Sequence, residues 1–191
     1  YEICSRDWSS DVCSSDLGTP IGILMPFRNL GGRFDLGWPH LGEVVTQYVM
    51  DRVHEGRQVL FLVSYHYSKG DHQRGCAGFA YDQQAAFDHT QAIRQQMSTI
   101  FGAGHGTVYP LVCGFETDED ALVLHGADGQ LLRVADLTVC DIETLRSQLS
   151  ALLPDMPSRM REDLLPLLVG NFEHVAEIRQ QAQQGLRQLD V

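Results

Sequence analysis

Two side chains with metal-ligand chemistry, His66 and Cys76, stand ten positions apart in the stretch 58–79. Imidazole nitrogen and thiolate sulfur are zinc donors, and a catalytic zinc takes three protein ligands while leaving a fourth position for water. A ten-residue separation across a glycine-containing loop permits shared coordination without demanding it. Cys76 sits in a small-residue frame of Gly75, Ala77 and Gly78. The loop is polar and carries Lys69 and Arg74, cations that lower a thiol pKa, so a redox or sensor role for Cys76 stays open beside the metal role. The acidic run Glu116-Thr117-Asp118-Glu119-Asp120 can offer oxygens to a hard cation, but reads more simply as a solvated loop. His72, His105 and His125 lie in polar surroundings and read as surface residues. Cys113, inside an apolar run, reads as a small core residue.

These side chains need elements to position them. Val59 to Tyr65 is an unbroken apolar and aromatic run of strand length, as a strand buried on both faces requires. It places His66 in the loop at its carboxyl end, where open α/β sheets keep their ligands. Upstream, Ile21 to Met25 is a short strand closed by Pro26, followed by the turn Arg28-Asn29-Leu30-Gly31-Gly32. Residues 40–55 carry Leu41, Val44, Val45, Tyr48, Val49 and Val53 on one helical face, with Pro39 at the start and Gly56 past the end. Strand, helix, strand in that order is a βαβ unit with a parallel strand pair. Asp82 caps a helix to about Phe101, with Ala85, Ala86, His89, Ile93, Met97 and Ile100 along one face. Val108 to Phe115 is a further buried strand. Ala121 to His125 and Gln130 to Val134 flank a hairpin turn at Ala127-Asp128-Gly129. The tail reads as helices over 141–153, 158–169 and 171–188, broken by Pro154, Pro157 and Gly170. The fold class is α/β, a mostly parallel central sheet flanked by helices with a C-terminal helical tail.

Composition bounds the function. With 191 residues and 43% hydrophobic content the chain suits one domain. A formal charge of -11 disfavours nucleic-acid partners, which need a basic face. No apolar run approaches the roughly 18 residues of a membrane span. Residues 1–17 have neither helical nor strand period, nor the basic start and apolar centre of a signal peptide. They resemble translated sequencing-adapter read-through of the kind met in metagenomic sequences, and are set aside from residues 18–191, the single α/β domain. Of the five cysteines, Cys4 and Cys13 fall in that segment. Cys76, Cys113 and Cys140 remain, an odd number without framework spacing, which points to a reducing cytoplasm.

Several segments occur in a family order. Ser64 to Ser68, Gly75 to Gly78, Gly114 to Leu122 with His125 after it, and Leu167 to Phe172 followed by Ile178 and Arg179 resemble the carboxysome shell carbonic anhydrases, a divergent β-class family. The Arg28 to Gly32 turn is similar to the Arg-Asn-Ala-Gly-Gly turn of ordinary β-class enzymes. The resemblance implies a β-carbonic-anhydrase-like fold and reversible hydration of carbon dioxide to bicarbonate. It implies zinc held by His66 and Cys76, and an active-site turn of Arg28, Asn29, Gly31 and Gly32. It also implies a homodimer or higher oligomer, contact with carboxysome shell or Rubisco, and a place in the cytoplasm or carboxysome. Two features depart from the family pattern. The family's upstream Cys-x-Asp-x-Arg motif, source of the third ligand and of the Asp/Arg dyad that gates the metal's open position, occurs nowhere in residues 1–191. Phe79 stands where many relatives carry histidine.

The reading of that absence is truncation before the first catalytic strand, which leaves this chain an inactive piece of an active zinc lyase. The helix running to Val191 has no evident stop, so further sequence is expected there too. Two other classes stay open: a metal-free assembly module of a carboxysome, and a thiol-based redox protein.

Overall fold

The computed structural model describes residues 33–102, 106–126 and 128–189, with backbone alone at 186–189, and the backbone of two short strands upstream. In chain order the strands are β1 (Glu2–Ile3), β2 (Pro26–Phe27), β3 (Val59–Tyr67), β4 (Val108–Glu116), β5 (Ala121–His125) and β6 (Leu131–Arg133). Among the described residues they form one six-stranded sheet in the order β2-β1-β3-β4-β5-β6. The sheet is mixed. β1 runs parallel to both β2 and β3, and β3 runs parallel to β4, whereas β4, β5 and β6 follow one another antiparallel. The helices are α1 (Pro39–His54), α2 (Gln83–Phe101), α3 (Ile142–Leu152) and α4 (Ser158–Leu189).

The apolar run of β3 is explained by its coverage. Val59, Phe61 and Val63 pack with Val45 and Val49 of α1 and Ile93 and Met97 of α2. Leu62, on the opposite face, joins Leu111, Phe115 and Leu122 beneath Leu145 and Leu149 of α3 and Leu164 and Leu168 of α4. With Phe61 wholly enclosed, burial of that one side chain contributes about 2–3 kcal/mol. Asp82 caps α2 as its sequence predicts, accepting from the Ala85 N–H at 3.0 Å, and Asp141 caps α3 in the same way through Thr144. No helix among the described residues is long and apolar enough to cross a membrane.

Five sequence expectations change. β3 continues through His66 and Tyr67, because those residues pair in register with Phe115 and Glu116 and the Thr117 N–H closes on the Tyr67 carbonyl at 2.8 Å. His66 is thus a strand residue rather than a loop residue. Pro26 belongs to a strand instead of ending one; on the outermost strand its missing N–H is tolerated. Ile21 to Met25 and the turn Arg28, Asn29, Leu30, Gly31 and Gly32 lie outside the described residues. β2 and β3 are not neighbours, since the two residues of β1 lie between them and supply both ladders. Gly170 breaks nothing: α4 runs unbroken for 32 residues past both Pro166 and Gly170. Its buried stripe Leu164, Leu168, Asn171, Val175 keeps helical spacing straight across the glycine. Pro166 faces solvent, where the freed carbonyl one turn back can turn to water. Finally, Val44 is 42% exposed, so the buried face of α1 is narrower than its sequence suggests.

Candidate metal centre

The carboxyl end of β3 brings the two predicted donors together. His66 Nδ1 and Cys76 Sγ lie 3.3 Å apart, and the sulfur also sits 3.5 Å from the His66 backbone nitrogen and 3.5 Å from its carbonyl oxygen. Two donors of a tetrahedral zinc, one nitrogen and one sulfur, stand about 3.5 Å from each other by the usual bond lengths. The pair therefore has the type and spacing of two corners of such a site. Among the described residues no third His, Cys, Asp or Glu completes a metal-binding group. Cys76 is buried, only 3% exposed, among Tyr65, Tyr67 and Ala86.

Cys76 is held from behind by a tight turn. The N–H groups of Phe79 and Tyr81 both donate to the Cys76 carbonyl, at 3.1 Å each. To close that turn, Ala80 and Tyr81 adopt φ values of 50° and 64°, left-handed conformations that each cost side-chain-bearing residues about 1 kcal/mol or more. Gly75 precedes it where a Cβ would approach the His72 carbonyl at 3.2 Å. Phe79 has two close neighbours: the Arg33 guanidinium lies over its ring at 5.4 Å, and the tilted His89 ring is 5.1 Å away between centroids. Arg33 Nε also donates to the Gly78 carbonyl at 2.7 Å. The Phe34 N–H donates to His89 Nε2 at 3.0 Å, and burial lowers the pKa of that imidazole.

The acidic run 116–120 is not the solvated loop its composition suggests. Glu116 ends β4 and residues 117–120 make the tight turn to β5, with Asp120 at a φ of 53°, and its groups are committed to protein partners. Asp118 Oδ1 accepts from the Ser68 hydroxyl at 2.6 Å, and Oδ2 from the backbone N–H groups of Lys69 and Gly70 at 2.8 and 2.9 Å. Arg74 reaches Asp118 Oδ1 at 3.4 Å and donates to the Thr117 carbonyl. Burial pushes the Asp118 carboxyl up, but the bonds from Ser68, Gly70, Glu116 and Lys69 outweigh it and hold it down at about 2. Glu116, 2% exposed, goes the other way, raised chiefly by burial although it accepts the Asp118 N–H. Arg74, one of the two cations that the thiol-sensor reading relied on, is thus engaged with the acidic turn. Behind the turn, Arg179 of α4 grips Glu119 with two bonds of 2.8 and 2.6 Å. Asn171, wholly buried, donates to the Asp120 carbonyl at 2.8 Å and accepts from the Leu122 N–H at 2.9 Å.

His125 is likewise misjudged from sequence as a surface residue. Its side chain is only 9% exposed, with Nε2 3.0 Å from the Tyr65 hydroxyl and its ring against Phe87, centroids 4.8 Å apart. Burial, aided by Arg133, lowers its pKa to about 4. Burial also drives the Tyr65 phenol well above the usual range, so the pair is neutral near pH 7. His72 is exposed as expected, Cys113 is buried in β4 as expected, and His105 falls outside the described residues. The signal that could have found Asp118 was topological: β4 is the parallel neighbour of β3, so its carboxyl end must open beside His66. Two surface hollows, one along Leu36, Gln96 and Ile100 and the other along Phe101, Tyr109 and Asp155, border neither His66 nor Cys76.

A family model described as carboxysome shell carbonic anhydrase, catalytic domain, matches residues 43–183. That span contains β3 to β6, most of α1, the His66–Cys76 pair, the acidic turn and most of α4. Comparison with curated protein sequences gives no match. The match covers most of the chain and agrees with the mixed sheet and its flanking helices, so the chain belongs to the carboxysome shell carbonic anhydrase family, through the catalytic domain.

Proposed function

We propose that the intact protein to which this domain belongs carries out zinc-dependent, reversible hydration of carbon dioxide to bicarbonate, with His66 and Cys76 as two of the metal's protein ligands. The observation that carries the reading is the 3.3 Å approach of ring nitrogen and sulfur at the carboxyl end of a buried strand, inside the family-matched span. When bound, zinc supplies Lewis-acid activation of water at neutral pH. The chain's own residues do the rest. Cys76 must bind as thiolate and His66 as neutral imidazole, so protons compete with the metal and affinity falls in acid. The enclosure of Cys76 by Tyr65 and Tyr67 keeps bulk water from the sulfur and strengthens its electrostatic hold on a cation.

Residues 1–191 contain no Cys-x-Asp-x-Arg motif, and we assign the third ligand and the Asp/Arg dyad to sequence upstream of residue 18 in the intact protein. Residues 1–17 remain, in this reading, foreign to it, although Glu2–Ile3 occupy the place between β2 and β3 in the sheet. The chain as it stands is then inactive, while the intact protein is a carboxysome enzyme working as a dimer or higher oligomer. Burial of Cys76 and the engagement of Arg74 elsewhere speak against the thiol-sensor alternative.

Cobalt(II) is the probe that tests this. Titration of the metal-free chain is expected to give a thiolate-to-cobalt absorption band that disappears in Cys76→Ser and shifts in His66→Ala. Absence of any cobalt-dependent band in the folded wild-type chain would overturn the metal assignment. Stopped-flow measurement of proton release from carbon dioxide should show no catalysis by residues 1–191, and catalysis once the native upstream sequence is joined.

A further inference from the structure

The eight residues between Tyr67 and Cys76 must leave the sheet and return so that the sulfur meets the His66 ring. Nothing apolar shapes this excursion, because Lys69 to Arg74 are all exposed. Its conformation is set by polar contacts, and the long-range ones run to Thr117 and Asp118. One carboxylate collects the loop's first residues through the Ser68 hydroxyl and the Lys69 and Gly70 N–H groups, and its last turn through Arg74. Ser68 extends the grip by accepting from the Asp71 N–H at 2.8 Å. Asp118 is itself braced: its N–H is on Glu116 Oε1 at 2.8 Å, and the Asp120 carbonyl is tied to Asn171 of α4.

We propose that Asp118 is a positioning residue for the His66–Cys76 pair, a clasp from the β4–β5 turn that holds both ends of the intervening loop and so sets the separation of imidazole and thiol. The clasp rests on the metal reading only for its purpose; its geometry stands without it. A carboxylate is required, since the four donors converge on two oxygens. An asparagine in its place has one acceptor oxygen: with that oxygen kept on the Lys69 and Gly70 N–H groups, its N–H₂ faces the Ser68 hydroxyl and the Arg74 guanidinium, from which it cannot accept. Asp118→Asn should therefore loosen the clasp at both ends of the loop, and Asp118→Ala should release it altogether.

The test is the rate at which iodoacetamide labels Cys76 in the native, metal-free chain, read by mass spectrometry with Cys113, buried in β4, as the internal standard. In Asp118→Asn, labelling of Cys76 should rise at least tenfold while Cys113 stays as slow as in the wild type. Ser68→Ala, which removes the hydroxyl's bonds to Asp118 and from the Asp71 N–H but leaves the other three donors on the carboxylate, should give a smaller rise of about two- to fivefold and serves if the first variant does not fold. A Cys76 rate within twofold of wild type in the folded variants would overturn the proposal. So would Cys113 accelerating in parallel, because the carboxylate would then be supporting the whole domain rather than the loop. In a parallel arm, cobalt(II) affinity should fall about tenfold in Asp118→Asn. If wild-type chain gives no cobalt band, the metal reading fails while the labelling result still decides the clasp.

Discussion

His125 shows how the fold fixes the state of a single residue. Its folded pKa, lowered to about 4 by burial, lies below the unfolded value near 6.5. The unfolded chain therefore takes up the proton first, and stability that is complete above about pH 6.5 drains away as pH falls toward 4. The slope from this one residue approaches 1.4 kcal/mol per pH unit. His125→Gln, which keeps an acceptor for the Tyr65 hydroxyl, should show a visibly flatter loss of stability between pH 6.5 and 4.5. Urea unfolding at a series of pH values measures the difference, and parallel curves would contradict it. Legibility at this scale followed sequence distance. His66 and Cys76 could be singled out together because they stand ten positions apart, one near the end of a strand and the other across the glycine-bearing loop that follows it. The partners of His125 and Asp118 are 60 and about 50 positions away, so their neighbours in sequence, Gly126 and Asp128 or Glu119 and Asp120, announced solvent where the fold supplies contacts.

Elements were more legible than residues wherever one period governed a whole segment. β4 and the capped helix α2 came out within a residue of their predicted limits. The 32-residue α4 was cut in two by reading Gly170 as a stop equal to Pro154 and Pro157, although only the two prolines coincide with a break. What holds the helix across Gly170 is tertiary: Asn171 engages the β4–β5 turn from within it. Asn171→Leu would leave the Asp120 carbonyl and the Leu122 N–H without that partner, and should cost about 2–4 kcal/mol by chemical denaturation. Gly114 makes a comparable demand inside β4. A Cβ there would stand 3.0 Å from the Tyr65 ring and hydroxyl, so Gly114→Ala should destabilise by about 1–3 kcal/mol, with an unchanged midpoint as the contrary result. Pro166→Ala should act in the opposite sense, restoring a helical hydrogen bond on an exposed face and raising the melting temperature.

On the scale of the whole molecule, the sheet has two characters. Its parallel half, β2-β1-β3-β4, presents carboxyl ends where His66 and Cys76 gather, and its antiparallel half, β4-β5-β6, folds back to support them. The order of the outer parallel strands was not readable, because two-residue ladders leave no side-chain period behind. A net charge of -11 makes the compact state self-repelling, and raising sodium chloride from about 10 to 300 mM should raise the melting temperature as that repulsion is screened; a fall would mean that ion pairs such as Arg179–Glu119 outweigh it. The two hairpin turns of the antiparallel half differ in what they can accommodate. Around Gly129, with φ at 75° and open space beside it, a reporter peptide or affinity handle can be spliced in without touching a neighbour. One amino acid added between Thr117 and Asp120 would pull simultaneously on α4, on the loop that ends at the cysteine, and on the last rung of the parallel strands, so lengthening is forbidden at one bend and free at the other.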